Sequence, residues 1–367
     1  MKSKLMRKTA ILSSIFSIIV LIVVFFAMEN SALLAQNRYT VESGADETPI
    51  TEENIIDVVI PDEIVENTQE MILNSDSLTF ELGSADTNFL TIPVPRGTEI
   101  SDITIENHYL IDEMRIIIAG VSDDFYVTNF ISGNREKIIS GSFETAFESA
   151  TLKFVLDDIY EYRSILEDNN LYIEFIPPRE MHSRIIVIDP AFGGSETGIV
   201  ANDLAEKDVA LNIAMKLKEL LDQTDYMVYY TRTADNNLSE EKRVRIANNT
   251  RADMLIRIEA DGNDNSLIHG TTTIYNSSFF IPHFGSPDLA YILETEVVLS
   301  ILSNAIGLEE ATFTDYVIAN ATVPAAAIRV GHLTNAQEAT LLKRDDYLDK
   351  IALGIFNAIL AICEEQN

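Results

Sequence analysis

Residues 184–198 read R-I-I-V-I-D-P-A-F-G-G-S-E-T-G, and this stretch restricts the folds open to the chain more than any other. Its β-branched run, 185–188, has no polar interruption, the pattern of a strand buried on both faces of a parallel sheet. Asp189-Pro190 ends that strand, and Gly193, Gly194 and Gly198 allow a loop with positive φ. A helix-forming segment follows from Glu206 to Leu221. A buried strand that carries a carboxylate and a glycine loop to the carboxyl edge of a sheet is where α/β proteins place a site. Phe192 is the odd member, because it occupies a loop tip where a polar or metal-binding side chain would be useful.

The pattern that follows alternates strands and helices. Strands are expected over 227–231, 254–258, 271–275 and 325–330, with an edge strand at Val317-Ile318. Helices are expected over 239–249, 286–302 and 347–362, the first opened by Ser239. This order predicts an open, largely parallel α/β sheet with helices on both faces, over 184–365.

The 183 residues before it divide into four segments. Lys2, Lys4, Arg7 and Lys8 form a basic tip (1–9) ahead of an almost wholly apolar run, 10–28. About 19 residues at roughly 1.5 Å each cross a hydrocarbon core of ~30 Å, so 10–28 is expected to be a transmembrane anchor. Basic residues before it and acidic ones after it put the tip in the cytoplasm and the bulk outside, a single-pass cell-membrane protein. Within 36–70 ten carboxylates oppose Arg38 alone, which makes 29–76 a self-repelling acidic linker. The segment 77–178 carries β-rich runs at 78–82, 89–94, 114–118, 125–130, 150–156 and 171–176, separated by turn residues, and predicts a small all-β sandwich.

Composition removes several function classes. A formal net charge of -32 excludes nucleic acid as a partner, since phosphate contacts need clustered Lys and Arg. With one cysteine, Cys363, the chain forms no intrachain disulfide and no cysteine-based zinc cluster; the residue reads as a small core side chain.

Several segments in order resemble the zinc-dependent N-acetylmuramoyl-L-alanine amidases of bacterial cell-wall metabolism. They are I-V-I-D-P-x-x-G-G from Ile186, N-D-L-A-E-K-D from Asn202, Y-Y-T-R-T-A-D from Tyr229 and L-S-E-E-K-R-V-R-I-A-N from Leu238. A-D-M-L-I-R-I-E-A from Ala252, G-T-T-T-I-Y from Gly270 and V-P-A-A-A-I-R-V-G-H-L-T-N from Val323 complete the set. Each is weak alone; seven in register are strong. The stretch A-T-L-K-F-V-L-D-D-I-Y-E-Y from Ala150 loosely resembles the sandwich domain ahead of some of these amidases.

The resemblance implies a zinc ion held by two His and one carboxylate, and a Glu as general base on the bound water. Position by position, the first histidine is replaced by Phe192, the carboxylate ligand is kept as Glu206, the second histidine is replaced by Glu259, and the catalytic glutamate by Arg329. Phe192 ligates nothing, two carboxylates without imidazole favour harder cations, and Arg329 accepts no proton near neutrality. Arg329 is expected to pair with Glu206 or Glu259 through its guanidinium. Asp189 is expected to orient the loop. His269, His283 and His332 read as loop histidines, and Asp261 and Asp264 lack the glutamate spacing of a calcium loop.

The reading is a membrane-anchored, extracytoplasmic amidase-like protein without catalysis, contacting peptidoglycan or cell-wall proteins. No cofactor is expected. The alternative is an active amidase that hydrolyses the MurNAc–L-Ala bond with an altered zinc site.

Overall fold

The computed structural model describes residues 78–80, 87–277 and 283–365. The expected basic tip, membrane anchor and acidic linker, 1–76, lie outside the described residues, among which no helix is long and apolar enough to cross a membrane.

Among the described residues, eight strands make a sandwich. One sheet contains β1 (Leu90–Pro93), β4 (Ser132–Gly133), β7 (Glu161–Glu167) and β8 (Asn170–Ile176), in the order β4-β1-β8-β7. The other contains β2 (Ile103–His108), β3 (Glu113–Ala119), β5 (Ile138–Ala146) and β6 (Ser149–Leu156), in the order β2-β3-β6-β5. All pairings are antiparallel. β6 alternates buried and half-buried positions along its whole length, so Ala150, Leu152, Phe154 and Leu156 point into a core shared with Met114, Ile116 and Ile118 of β3. The expected strand at 125–130 is instead the short helix α1 (Phe125–Thr128), which buries Tyr126 and sends its hydroxyl to Pro93 O at 2.9 Å. A one-turn helix, α2 (Pro178–Met181), leads out of the sandwich.

The second layer system begins with β9 (Ile185–Pro190), buried at every position as the unbroken apolar run requires. A two-residue hairpin, β10 (Val200–Ala201) and β11 (Leu204–Ala205), leads into α3 (Glu206–Leu221). Then come β12 (Met227–Tyr230), α4 (Glu240–Thr250), β13 (Met254–Asp261) and β14 (Thr271–Tyr275). The chain closes with α5 (Ser286–Ile301), β15 (Ala305–Glu310), α6 (Tyr316–Asn320), β16 (Ala325–His332), α7 (Ala336–Leu342) and α8 (Asp345–Glu365). The six strands lie in the order β12-β9-β13-β16-β14-β15. Every neighbouring pair is parallel except β14 with β16. α3, α5 and α8 cover one face, with Cys363 in that core, and α4 and α6 cover the other.

Val317 and Ile318 sit in the helix α6, not in an edge strand; both are buried against the sheet face, which an apolar pair on one helical turn satisfies as well as a strand would. The edge strand on that side of the sheet is β15, whose mostly exposed residues carry no alternating signal. Ser239 caps α4 by accepting Lys242 N at 3.3 Å.

Candidate functional site: a charge-paired cleft at the carboxyl edge of the sheet

β9, β13 and β16 are adjacent and parallel, so their carboxyl ends open on one side of the sheet. Register then fixes which side chains meet. Asp189 of β9 lies opposite Arg257 of β13, and Glu259, two residues on and on the same face, lies opposite Arg329 of β16. The result is a ladder of alternating charge across three strands.

Asp189 is fully buried. Arg243 Nη1 donates to its Oδ1 and Arg257 Nη1 to its Oδ2, each at 2.5 Å, and Thr231 Oγ1 donates to Oδ1. Burial would raise this carboxyl, but the two guanidiniums outweigh it and hold it well below the usual carboxylate range. Arg243 also donates to Pro190 O at 2.8 Å and Phe192 O at 2.6 Å, and buried Arg232 donates to Pro190 O, Ala191 O and Lys207 O. Asp189 is thus tied to its loop through Arg243 of α4, while Arg232 of the Y-Y-T-R-T segment holds the loop carbonyls directly.

Those contacts hold Phe192 at φ 59°, a left-handed conformation uncommon for a bulky residue. Its ring faces into the cleft, 5.7 Å from the Arg257 guanidinium carbon. Beside it Gly198, at φ +62°, passes so close that a Cβ would lie 2.7 Å from the ring and 2.6 Å from a Glu206 oxygen. Only glycine fits.

Glu206 enters from the first turn of α3, 3% exposed, and accepts Ile199 N at 3.0 Å and Ala260 N at 3.1 Å, one on each oxygen. Burial and then the neighbouring charge of Glu259 push its carboxyl up to about 8, against those two backbone donors. Glu259 accepts Arg257 Nε at 2.6 Å on one oxygen and Arg329 Nε at 3.2 Å on the other. Arg329 Nη2 donates to Asp315 Oδ1 at 3.0 Å, and Nη1 lies 3.9 Å from Asp261 Oδ2. No ion pair joins Arg329 to Glu206 among the described residues; the guanidinium goes to Glu259. Phe192, Glu206, Arg257, Glu259, Asp315 and Arg329 line one cavity of about 380 Å³.

Zinc, the ion implied by the family resemblance, does not fit this donor set. Phe192 offers no lone pair, both oxygens of Glu259 accept from guanidiniums, both of Glu206 accept from backbone N–H groups, and two permanent cations stand beside them. Among the described residues no group of three or more His, Cys, Asp or Glu is arranged to hold a metal ion. His332 is not a loop residue: it ends β16, 3% exposed, with Nε2 3.7 Å from Asp261. His269 and His283 lie in loops and do not line the cavity. Asp261 turns Oδ1 back to its neighbour Gly262 N at 2.7 Å.

Arg257 and Asp315 are the site residues the sequence reading did not single out. A signal for Arg257 exists: an arginine inside an otherwise apolar central strand must find a buried counter-ion, and Glu259 is on its face. Asp315 comes from a loop with no pattern.

The fold and the cleft together define a class: an open α/β domain with a carboxylate-lined site at the carboxyl ends of adjacent parallel strands, closed by a glycine loop. Comparison with known proteins shows what this part of the chain is similar to. Residues 186–361, just under half of the chain, match the sequence model described as N-acetylmuramoyl-L-alanine amidase. The amidase LytC of Bacillus subtilis is 30% identical over 176 residues, 48% of this chain and 35% of LytC, so the chain spans about a third of that relative. The germination-specific N-acetylmuramoyl-L-alanine amidase of the same organism is 28% identical over 200 residues, 51% of this chain and 82% of the relative. Among solved structures, an N-acetylmuramoyl-L-alanine amidase from Clostridium difficile 630 aligns at 30% identity with a TM-score of 0.47, over 50% of this chain and 98% of that one.

Proposed function

We propose that this chain is a non-catalytic member of the amidase family that acts at the cell wall by binding peptidoglycan or by regulating wall metabolism. One observation carries the reading: the positions corresponding to a metal ligand, a second ligand and the general base are Phe192, Glu259 and Arg329, and the last two are bonded to each other. A general base contributes typically ~10²–10⁴-fold, and a guanidinium cannot take its place. The apolar run 10–28 supports a single membrane anchor that leaves the rest of the chain outside the cell membrane.

The test combines elemental analysis of purified protein with incubation on muropeptides and sedimentation with isolated sacculi. The expected results are no stoichiometric zinc, no release of stem peptides, and co-sedimentation with sacculi. Zinc together with released stem peptides, both lost on Glu206→Ala, would establish the active alternative instead. Protein that stays in the supernatant would remove peptidoglycan binding and leave a role through protein partners.

A further inference from the structure

The replacement of the metal site is more than a set of losses, and the residue that shows this is Arg257. A charged side chain in a central parallel strand, 6% exposed, survives only with counter-charges built around it. Arg257 has three neighbours of this kind, two carboxylates and one aromatic face. Its Nη1 reaches Asp189 at 2.5 Å, its Nε reaches Glu259 at 2.6 Å, and the face of Phe192 lies 5.7 Å from its guanidinium carbon. Two of the three, Phe192 and Glu259, stand at the positions that correspond to the two imidazole ligands of the family. The cation between them is now a guanidinium.

Each substitution gains a purpose in this arrangement. Phe192 offers a negative π face to the guanidinium, a contact that a cationic or metal-bound imidazole would not make. Glu259 offers one oxygen to Arg257 Nε and the other to Arg329 Nε. We propose that Arg257 is the resident cation of this cleft, standing where the family's metal would be, with Phe192 and Glu259 adapted to hold it. The proposal rests on the non-catalytic reading above and adds a consequence to it. Reverting the three family positions cannot rebuild a metal site while Arg257 stays, because its permanent charge, anchored on Asp189, still faces the cleft and repels a divalent ion.

The experiment loads full-length chains with zinc, dialyses them, and measures bound metal, with circular dichroism to check folding. The chains are the wild type, the triple variant Phe192→His/Glu259→His/Arg329→Glu, and the triple variant carrying Arg257→Ser as well. Bare wild-type and triple chains with a stoichiometrically loaded quadruple variant are the expected result. A loaded triple variant beside a bare wild type overturns the assignment of Arg257 and leaves the non-catalytic reading intact; a loaded wild type overturns that reading. A folded but bare quadruple variant also overturns the assignment of Arg257. Should the quadruple variant not fold, thermal melting of Arg257→Lys and Arg257→Met decides. The lysine keeps the charge and is expected to melt close to the wild type, whereas the methionine, of similar length, loses on the order of 10 °C. Equal melting of the two would show that the position needs bulk and not a cation.

Discussion

Glu206 enters the cleft almost fully buried, under influences that pull its proton in opposite directions. Burial and the charge of Glu259 favour the neutral acid, the backbone donors Ile199 and Ala260 favour the anion, and the balance leaves it near 8. In the unfolded chain a glutamate titrates near 4.3. Between those two values the native state therefore holds a proton that the unfolded state has lost, so stability falls as pH rises from about 5 to 8 and levels off above. Glu206→Gln, which stays neutral throughout, removes that slope; denaturant unfolding at a series of pH values measures it. The variant loses an acceptor for one backbone N–H, a uniform penalty of about 1–3 kcal/mol that does not depend on pH. A variant whose slope over pH 5–8 equals the wild type's would show that Glu206 is ionised in the native protein. Of these site positions, Phe192, Glu206, Glu259 and Arg329 were legible because each sits inside a motif that fixes its register. Their partners were not. Whether Arg329 reaches Glu206 or Glu259 depends on the β13–β16 register, and Arg257 hides in a run whose apolar neighbours dominate its reading.

At the scale of elements, β12 shows how the fold treats an exposed sheet edge. It is the outermost strand beside β9, and its free side presents unpaired backbone groups. Tyr109, from the turn between β2 and β3 of the sandwich, answers both: its hydroxyl donates to Tyr230 O at 2.9 Å and accepts Tyr230 N at 3.0 Å. Its ring packs edge-on against Tyr229, 4.9 Å between centroids. Tyr109→Phe keeps the ring and deletes the hydroxyl, leaving two backbone groups without it. The expected loss is about 1–3 kcal/mol in urea unfolding, with the m-value unchanged; no loss would mean that water replaces the hydroxyl. The sequence shows the strands of the sheet centre well, since β9 is an unbroken apolar run up to Asp189, and β13 and β16 are mostly apolar, broken by the charged residues that face the cleft and by Gly331-His332 at the end of β16. It shows the edges poorly, because β15 and the sandwich strands β2, β5 and β7 are half-exposed and follow no clean period. α6 was mistaken for a strand for a related reason: two apolar residues in a row fit either element.

At the scale of the molecule, the sandwich and the α/β domain are joined by contacts that are polar and specific as well as apolar. Ile159 of the sandwich is buried in the core beneath α4, Tyr229 donates its hydroxyl to Glu161 at 2.5 Å, and Asn249 donates to Asp158 at 2.7 Å. Asp112 is the centre of the charged part: Lys242 Nζ lies 2.6 Å from it and Arg245 also pairs with it, both from α4. With a chain charge of -32, basic residues are scarce, and two of them are committed to one carboxylate across this boundary. Asp112 stands at φ 56°, so the turn that carries it is itself shaped to present the side chain. Interfaces between domains of one chain allow relative motion unless something fixes them. Here the aromatic stack supplies the contact and Asp112 the direction. The two bodies are therefore expected to unfold together in calorimetry, as one cooperative transition. Asp112→Ala leaves Lys242 and Arg245 facing each other without the carboxylate between them, and a partly exposed charge-assisted pair of this kind contributes about 1–3 kcal/mol. The transition should broaden or split, with the sandwich melting first because its smaller core has less to hold it. High salt should produce a weaker version of the same effect in the wild type, since screening acts on this pair and not on the tyrosines. A single sharp transition in the variant, at the wild-type temperature, would mean that the aromatic contacts alone join the two.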